Sequence, residues 1–250
     1  VVVGEALHEA VLVEGAGGQE DQQGGSAQHG GRLTREGAGP ALVCRPLARR
    51  GVRLLVALAW HGGALHGAAP SRGVPTVAST LMEALARLGA PGVDVDVWSR
   101  TDAGVHAREG LFLVDGLPDR EPRDWLHGLA HHLPPTVRPR WVSPCAVLPE
   151  VVDKTYRYAI DASHVGDPML ADRAWRVRVE ADRLIEAAAV VRGPVDFGPF
   201  RRRGETRHDL RRTVLGCRVE VSTHPWTVTV TGDGFPLRGV RSLVGAMVYV

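Results

Sequence analysis

Cysteine is scarce in this chain: Cys44, Cys145 and Cys217 stand far apart and are odd in number. They form neither a disulfide framework nor a closely spaced metal pair, which points to a reducing compartment, the cytoplasm. Net charge is small too, at +2, so overall charge does not mark a nucleic-acid binder and only local clustering of cations could. No apolar run reaches the length of a membrane span. Residues 1–13 have no Lys or Arg ahead of their apolar part, so they make a poor signal peptide. Residues 15–39 hold almost no large apolar side chains and are dense in Gly, Gln, Glu and Ser. Such a segment cannot bury enough surface to offset its chain entropy. We therefore expect residues 1–51 to be a disordered N-terminal extension. A short helix over residues 1–13 is one option, and upstream sequence foreign to the working protein is another.

What remains is ample for folding. The chain has 250 residues and a hydrophobic content of 44%, enough for one large domain or two small ones. Val52–Trp60 reads as a well-buried strand, followed by a Gly- and Pro-rich loop over residues 61–73. Thr76 reads as an N-cap for a helix in which Val77, Leu81, Leu85 and Leu88 recur at helical spacing, with Gly89 as its stop. Strands are expected at 93–97 and 111–114, a helix at 119–132 with Trp125, Leu126 and Leu129 inward, and a strand at 137–142. This order is the split βαβ pattern of a ferredoxin-like unit. The second half repeats it weakly: a strand at 154–160, a helix at 181–192, alternating strands at 215–221 and 226–230, and an apolar helix from about Leu237. The chain stops in or just after that helix, which reads as a C-terminal truncation.

Chemistry concentrates in the loop between the strands at 93–97 and 111–114. It carries the carboxylate of Asp102, the guanidinium of Arg100, and the small pair Ala103-Gly104, where a ligand could approach closely. A bare Arg-x-Asp pair is usually a solvated turn. The full string Arg100-Thr101-Asp102-Ala103-Gly104-Val105-His106-Ala107, however, resembles the signature of the tRNA pseudouridine synthases of the TruA type. The resemblance implies that Asp102 is the catalytic aspartate. Lys154-Thr155-Tyr156-Arg157-Tyr158 is similar to the family's Tyr-x-Tyr strand, which implies that Tyr156 stacks on the target base. A flipped uracil loses its neighbours, and an aromatic face restores about 1–3 kcal/mol. Phe235-Pro236-Leu237-Arg238-Gly239-Val240-Arg241 resembles the segment whose arginine pairs with the catalytic aspartate, here Arg241. Asp196-Phe197-Gly198-Pro199-Phe200 resembles a supporting turn. On residue type alone, the tyrosines also suit cross-strand packing and Arg241 a snorkelling helix position.

Arg201, Arg202 and Arg203, with Arg207, Arg211 and Arg212, form the densest basic run and suit phosphate contacts. His61, His66, His131 and His132 have no carboxylate or cysteine at ligand spacing, so no metal site is expected. The periphery departs from the family pattern. Trp60-His61-Gly62 and Leu65-His66-Gly67-Ala68-Ala69 stand where a Trp-Gln pair is usual, and Ala130 replaces an expected Asn.

The resemblance implies an α+β fold of two ferredoxin-like halves, residues 52–143 and 144–250, sharing a mixed sheet with a basic cleft between them. It further implies an isomerase that converts uridine to pseudouridine in the tRNA anticodon stem-loop, acting as a homodimer without metal or organic cofactor. The alternative is a non-catalytic RNA-binding module on the same scaffold, suggested by the eroded periphery.

Overall fold

The computed structural model describes residues 8–11, 51–145, 153–200 and 209–249. The first half runs β2 (Val52–Trp60), α1 (Val77–Arg87), β3 (Asp94–Val97), β4 (Ala107–Leu117), α2 (Pro122–His132) and β5 (Val137–Pro144), after a short β1 (His8–Val11), which is a strand paired with residues 155–158 where disorder or a short helix is expected from sequence. Its sheet has the order β3-β4-β2-β5 with every pair antiparallel, the split βαβ arrangement expected.

The unbroken apolar run of β2 has a packing reason. Leu54, Val56, Leu58 and Trp60 face α1 and α2, meeting Leu81, Leu85, Trp125 and Leu129 in the main core. Leu55 and Ala57 face the other way and join Leu111, Leu113 and Cys145 in a smaller cluster. Both faces are covered, so the usual alternation disappears. Thr76 caps α1 reciprocally. Its hydroxyl accepts from the Ser79 N–H at 3.1 Å, and the Ser79 hydroxyl accepts from the Thr76 N–H at 2.9 Å. Helix α2 begins at Pro122 rather than at residue 119, because proline suits the first helical turn.

The second half runs β6 (Lys154–Asp161), β7 (Trp175–Arg176), α3 (Ala181–Val190), β8 (Gly193–Asp196), β9 (Arg211–Glu220), β10 (Trp226–Gly232) and α4 (Gly239–Tyr249). Helices α3 and α4 cover one face of the sheet. Leu184, Val240, Val244 and Met247 pack there on Tyr158, Ile160, Val228 and Val230. The expected Leu237 start of the last helix moves to Gly239, and Leu237 is exposed.

Two sequence expectations are revised here. The strand order β1-β6-β10-β9-β8 places β10 between β9 and β6, so the second half is a meander closed by β6, not a repeat of the first. Among the described residues the halves also form two hydrogen-bonded sheets rather than one shared sheet. The outer edge of β6 is already filled, by β1 along Thr155–Tyr158 and by β7 at Ile160 and Asp161. A filled edge has no free N–H and C=O row to offer the other half. The β6–β7 pair is the one parallel pairing among the described residues. Strand β8 went unread because Gly193-Pro194-Val195-Asp196 carries a proline, tolerated only because this is an edge strand. No helix among the described residues is long and apolar enough to cross a membrane.

Candidate active site

The loop joining β3 to β4 is locked by its backbone. The Trp98 N–H donates to the Leu111 carbonyl at 3.0 Å, and the Leu111 N–H donates to the Ser99 hydroxyl at 2.9 Å. Farther along, the loop is gripped by residues 60–68. The Ala68 N–H donates to the Thr101 carbonyl at 3.2 Å, the Gly104 N–H to the Leu65 carbonyl at 3.1 Å, and the Trp60 indole to the Val105 carbonyl at 2.9 Å. The Gly62 N–H donates to His106 Nδ1 at 3.3 Å.

That grip explains two glycines. A Cβ on Gly62 would lie 2.1 Å from the Val105 carbonyl oxygen. Gly67 has φ +95°, and its Cβ would lie 2.7 Å from the Thr101 oxygen. The stretch that departs from the family's Trp-Gln pattern is therefore the cradle that holds Asp102 in place. Buried His106 belongs to this cradle; its ring meets His61 edge-on at 4.2 Å. Burial, and then His61, hold the His106 pKa below the ordinary value, which favours the neutral ring.

Opposite this loop stand β6 and the turn before α4. Together they enclose a cavity of about 450 Å³ whose lining includes Arg100, Asp102, Lys154, Tyr156, Arg238 and Arg241. The four residues picked out around the signature, Arg100, Asp102, Tyr156 and Arg241, thus come from both halves of the chain and face one space. Tyr156 meets Phe235 edge-on at 5.3 Å, and Phe235 meets Phe197 at 6.1 Å, so the tyrosine ring is fixed from behind. Burial, with the Asp102 carboxylate adding to it, pushes the Tyr156 phenol up to about 12. Tyr156 therefore stays protonated at neutral pH, as a ring and a hydrogen-bond donor. Lys154, whose side chain had no role assigned from sequence, shares the wall. Its pKa is lowered by burial and then by Arg100.

Arg241 reaches the cavity but does not pair with Asp102. Its positive charge acts on the Tyr158 phenol instead, and partly offsets the upward push of burial on that group. The Arg241 Nε is buried without a hydrogen-bond partner. Arg201, Arg202 and Arg203 lie outside the described residues. Among the described residues no three His, Cys, Asp or Glu side chains cluster in a way that could hold a metal.

Comparison with known proteins gives this cavity a context. A sequence model of a family described as tRNA pseudouridine synthase matches residues 187–250. The tRNA pseudouridine synthase A of Neisseria gonorrhoeae is 31% identical over 205 residues, 79% of this chain and 77% of that protein. The chain belongs to the tRNA pseudouridine synthase A family. The tRNA pseudouridine synthase A of Methylacidiphilum infernorum is 32% identical over 203 residues, 77% of this chain and 78% of its own length. That of Xanthomonas campestris pv. campestris is 30% identical over 184 residues, 71% of this chain and 72% of its own. The segment matched by the family model includes the Phe235–Arg241 wall of the cavity, and the Asp102 loop lies outside it.

Proposed function

We propose that this protein isomerises uridine to pseudouridine in the anticodon stem-loop of tRNA, with Asp102 as the nucleophile. The observation that carries the reading is the meeting of Arg100, Asp102, Tyr156 and Arg241 around one cavity although they come from two halves of the chain. A uridine flipped into this space would lie its base on Tyr156, whose ring is braced by Phe235. Arg100, exposed at the mouth, suits the RNA backbone or the gap the flipped base leaves. Asp102 would attack C1′ of the ribose or C6 of the base. In either course the N1–C1′ bond breaks, the uracil turns, and a C5–C1′ bond forms. The C5 proton leaves and N1 gains one, so the reaction neither consumes nor releases electrons and calls for no cofactor. Tyr156, protonated at neutral pH, serves as a stacking face rather than as the base that takes the C5 proton.

The same reading has the protein acting in the cytoplasm as a homodimer that one tRNA bridges, with Arg201, Arg202 and Arg203 contacting phosphates. Arg241 then binds substrate from the same wall as Tyr156. The test is incubation of unmodified tRNA transcript with the wild-type protein, followed by mapping of pseudouridine. Modification confined to the anticodon stem-loop supports the proposal. Tight tRNA binding with no pseudouridine formed would leave the RNA-binding module as the better account.

A further inference from the structure

One cavity-lining cation has no task in this scheme. Arg238 has φ 59° and is the one non-glycine residue with positive φ among the described residues. An L side chain there carries a steric cost that glycine avoids, and such positions concentrate at functional sites. The turn leaves no freedom to shift the kink. The Gly239 N–H donates to the Pro236 carbonyl at 2.8 Å, the Ser242 N–H to the Arg238 carbonyl at 3.0 Å, and a Cβ on Gly239 would lie 2.7 Å from Pro236 Cδ. A glycine would suit position 238 better, yet an arginine stands there.

The arginine also does nothing for the fold. Its side chain is exposed at the cavity and makes no hydrogen bond or ion pair among the described residues. Around it the charge is one-sided. Arg100, Lys154, Arg238 and Arg241 face a single carboxylate, Asp102, in a chain whose total net charge is only +2. None of these four cations forms an ion pair among the described residues. Concentrated, unpaired positive charge at the mouth of a cavity calls for an anionic ligand, and Arg is the side chain best matched to phosphate oxygens.

We infer that Arg238 is a positioning residue that grips a phosphodiester flanking the nucleotide held in the cavity, working with Arg100 from the other half of the chain. This rests on the proposed function. The left-handed backbone at Arg238 ends on a side chain that lines the cavity.

Replacing Arg238 by glycine separates this role from a structural one, because glycine accepts the same φ without strain. Arg238→Gly should keep the melting temperature of the wild type or raise it. Its affinity for a tRNA transcript should depend on salt with a log–log slope flatter by about one unit. Its KM should rise by about tenfold, with kcat within about twofold, since a phosphate grip adds binding without touching the reacting atoms. Arg238→Lys should restore the slope and most of the KM, keeping the charge. An Arg238→Gly protein with unchanged slope and KM, measured beside an active wild type, overturns the assignment of Arg238 alone. A wild type that makes no pseudouridine overturns the functional reading and this inference with it.

Discussion

The two walls of the cavity are built by different physics. The Asp102 wall is held by main-chain hydrogen bonds to residues 62–68 and by glycines pressed against carbonyl oxygens. The facing wall is held by side chains: Tyr156 on Phe235, Phe235 on Phe197, and Arg241 on Tyr158. Main-chain bonds fix the backbone on either side of Asp102, the kind of positioning that the proposed nucleophile requires. Packed rings tolerate small shifts, which suits a wall that must accept a base and its backbone. Damage to the first wall should therefore fall on chemistry, and damage to the second on binding.

The sharpest break comes from Asp102→Asn, which leaves the first wall intact and replaces only the carboxylate proposed to react. Isomerisation should vanish while tRNA affinity stays within about threefold, because the amide cannot act as nucleophile. Any pseudouridine from a clean preparation of this variant would move the nucleophile elsewhere.

Next in size is Gly62→Ala. The new methyl would collide with a backbone oxygen that cannot swing away. We expect a loss of about 1–3 kcal/mol in denaturant unfolding and a fall in kcat of about 100-fold, since a 1 Å misplacement is enough for that. Normal turnover in this variant would show that the cradle does not set the position of Asp102.

On the second wall, Tyr156→Leu should weaken tRNA binding by about 1–3 kcal/mol, read as a raised KM in steady-state kinetics. A purely kcat effect would contradict the division between the walls. Smallest is an alkaline effect on stability. The Tyr156 phenol is raised from 10.0 to about 12 on folding, so the folded state favours the protonated ring. Its contribution is fully present below pH 10 and is lost as pH rises through 12. Tyr156→Phe should remove that part of the pH dependence, visible as a shallower fall in melting temperature over that range.

Much of this was legible from local pattern. Thr76 with Ser79 three residues on, the helical spacing of Val77, Leu81 and Leu85, and the apolar run of β2 all act over a few residues, where propensity and periodicity speak directly. The signature string marks Asp102 and Arg100, and the Tyr-x-Tyr strand marks Tyr156, all three of which line the cavity. What escaped were features with no local mark. Strand β8 reads as a turn because it holds Gly and Pro. Lys154 and Arg238 look like ordinary surface cations until the chain folds and sets both beside the cavity. Arg241 acts on the buried Tyr158 phenol rather than pairing with Asp102, an outcome no local stretch records.

By itself, then, the amino-acid sequence determined most of the elements, the loop that carries the carboxylate, and the family to which the chain belongs. Helical caps, alternation and motif strings depend on neighbours a few positions apart. Only the tertiary structure decided that β10 enters between β9 and β6, that β1 and β7 fill the outer edge of β6, and that residues 100–102 meet residues 235–241. Those outcomes depend on which edges and faces remain unsatisfied once every element has formed, a competition among distant segments that no short stretch of sequence records.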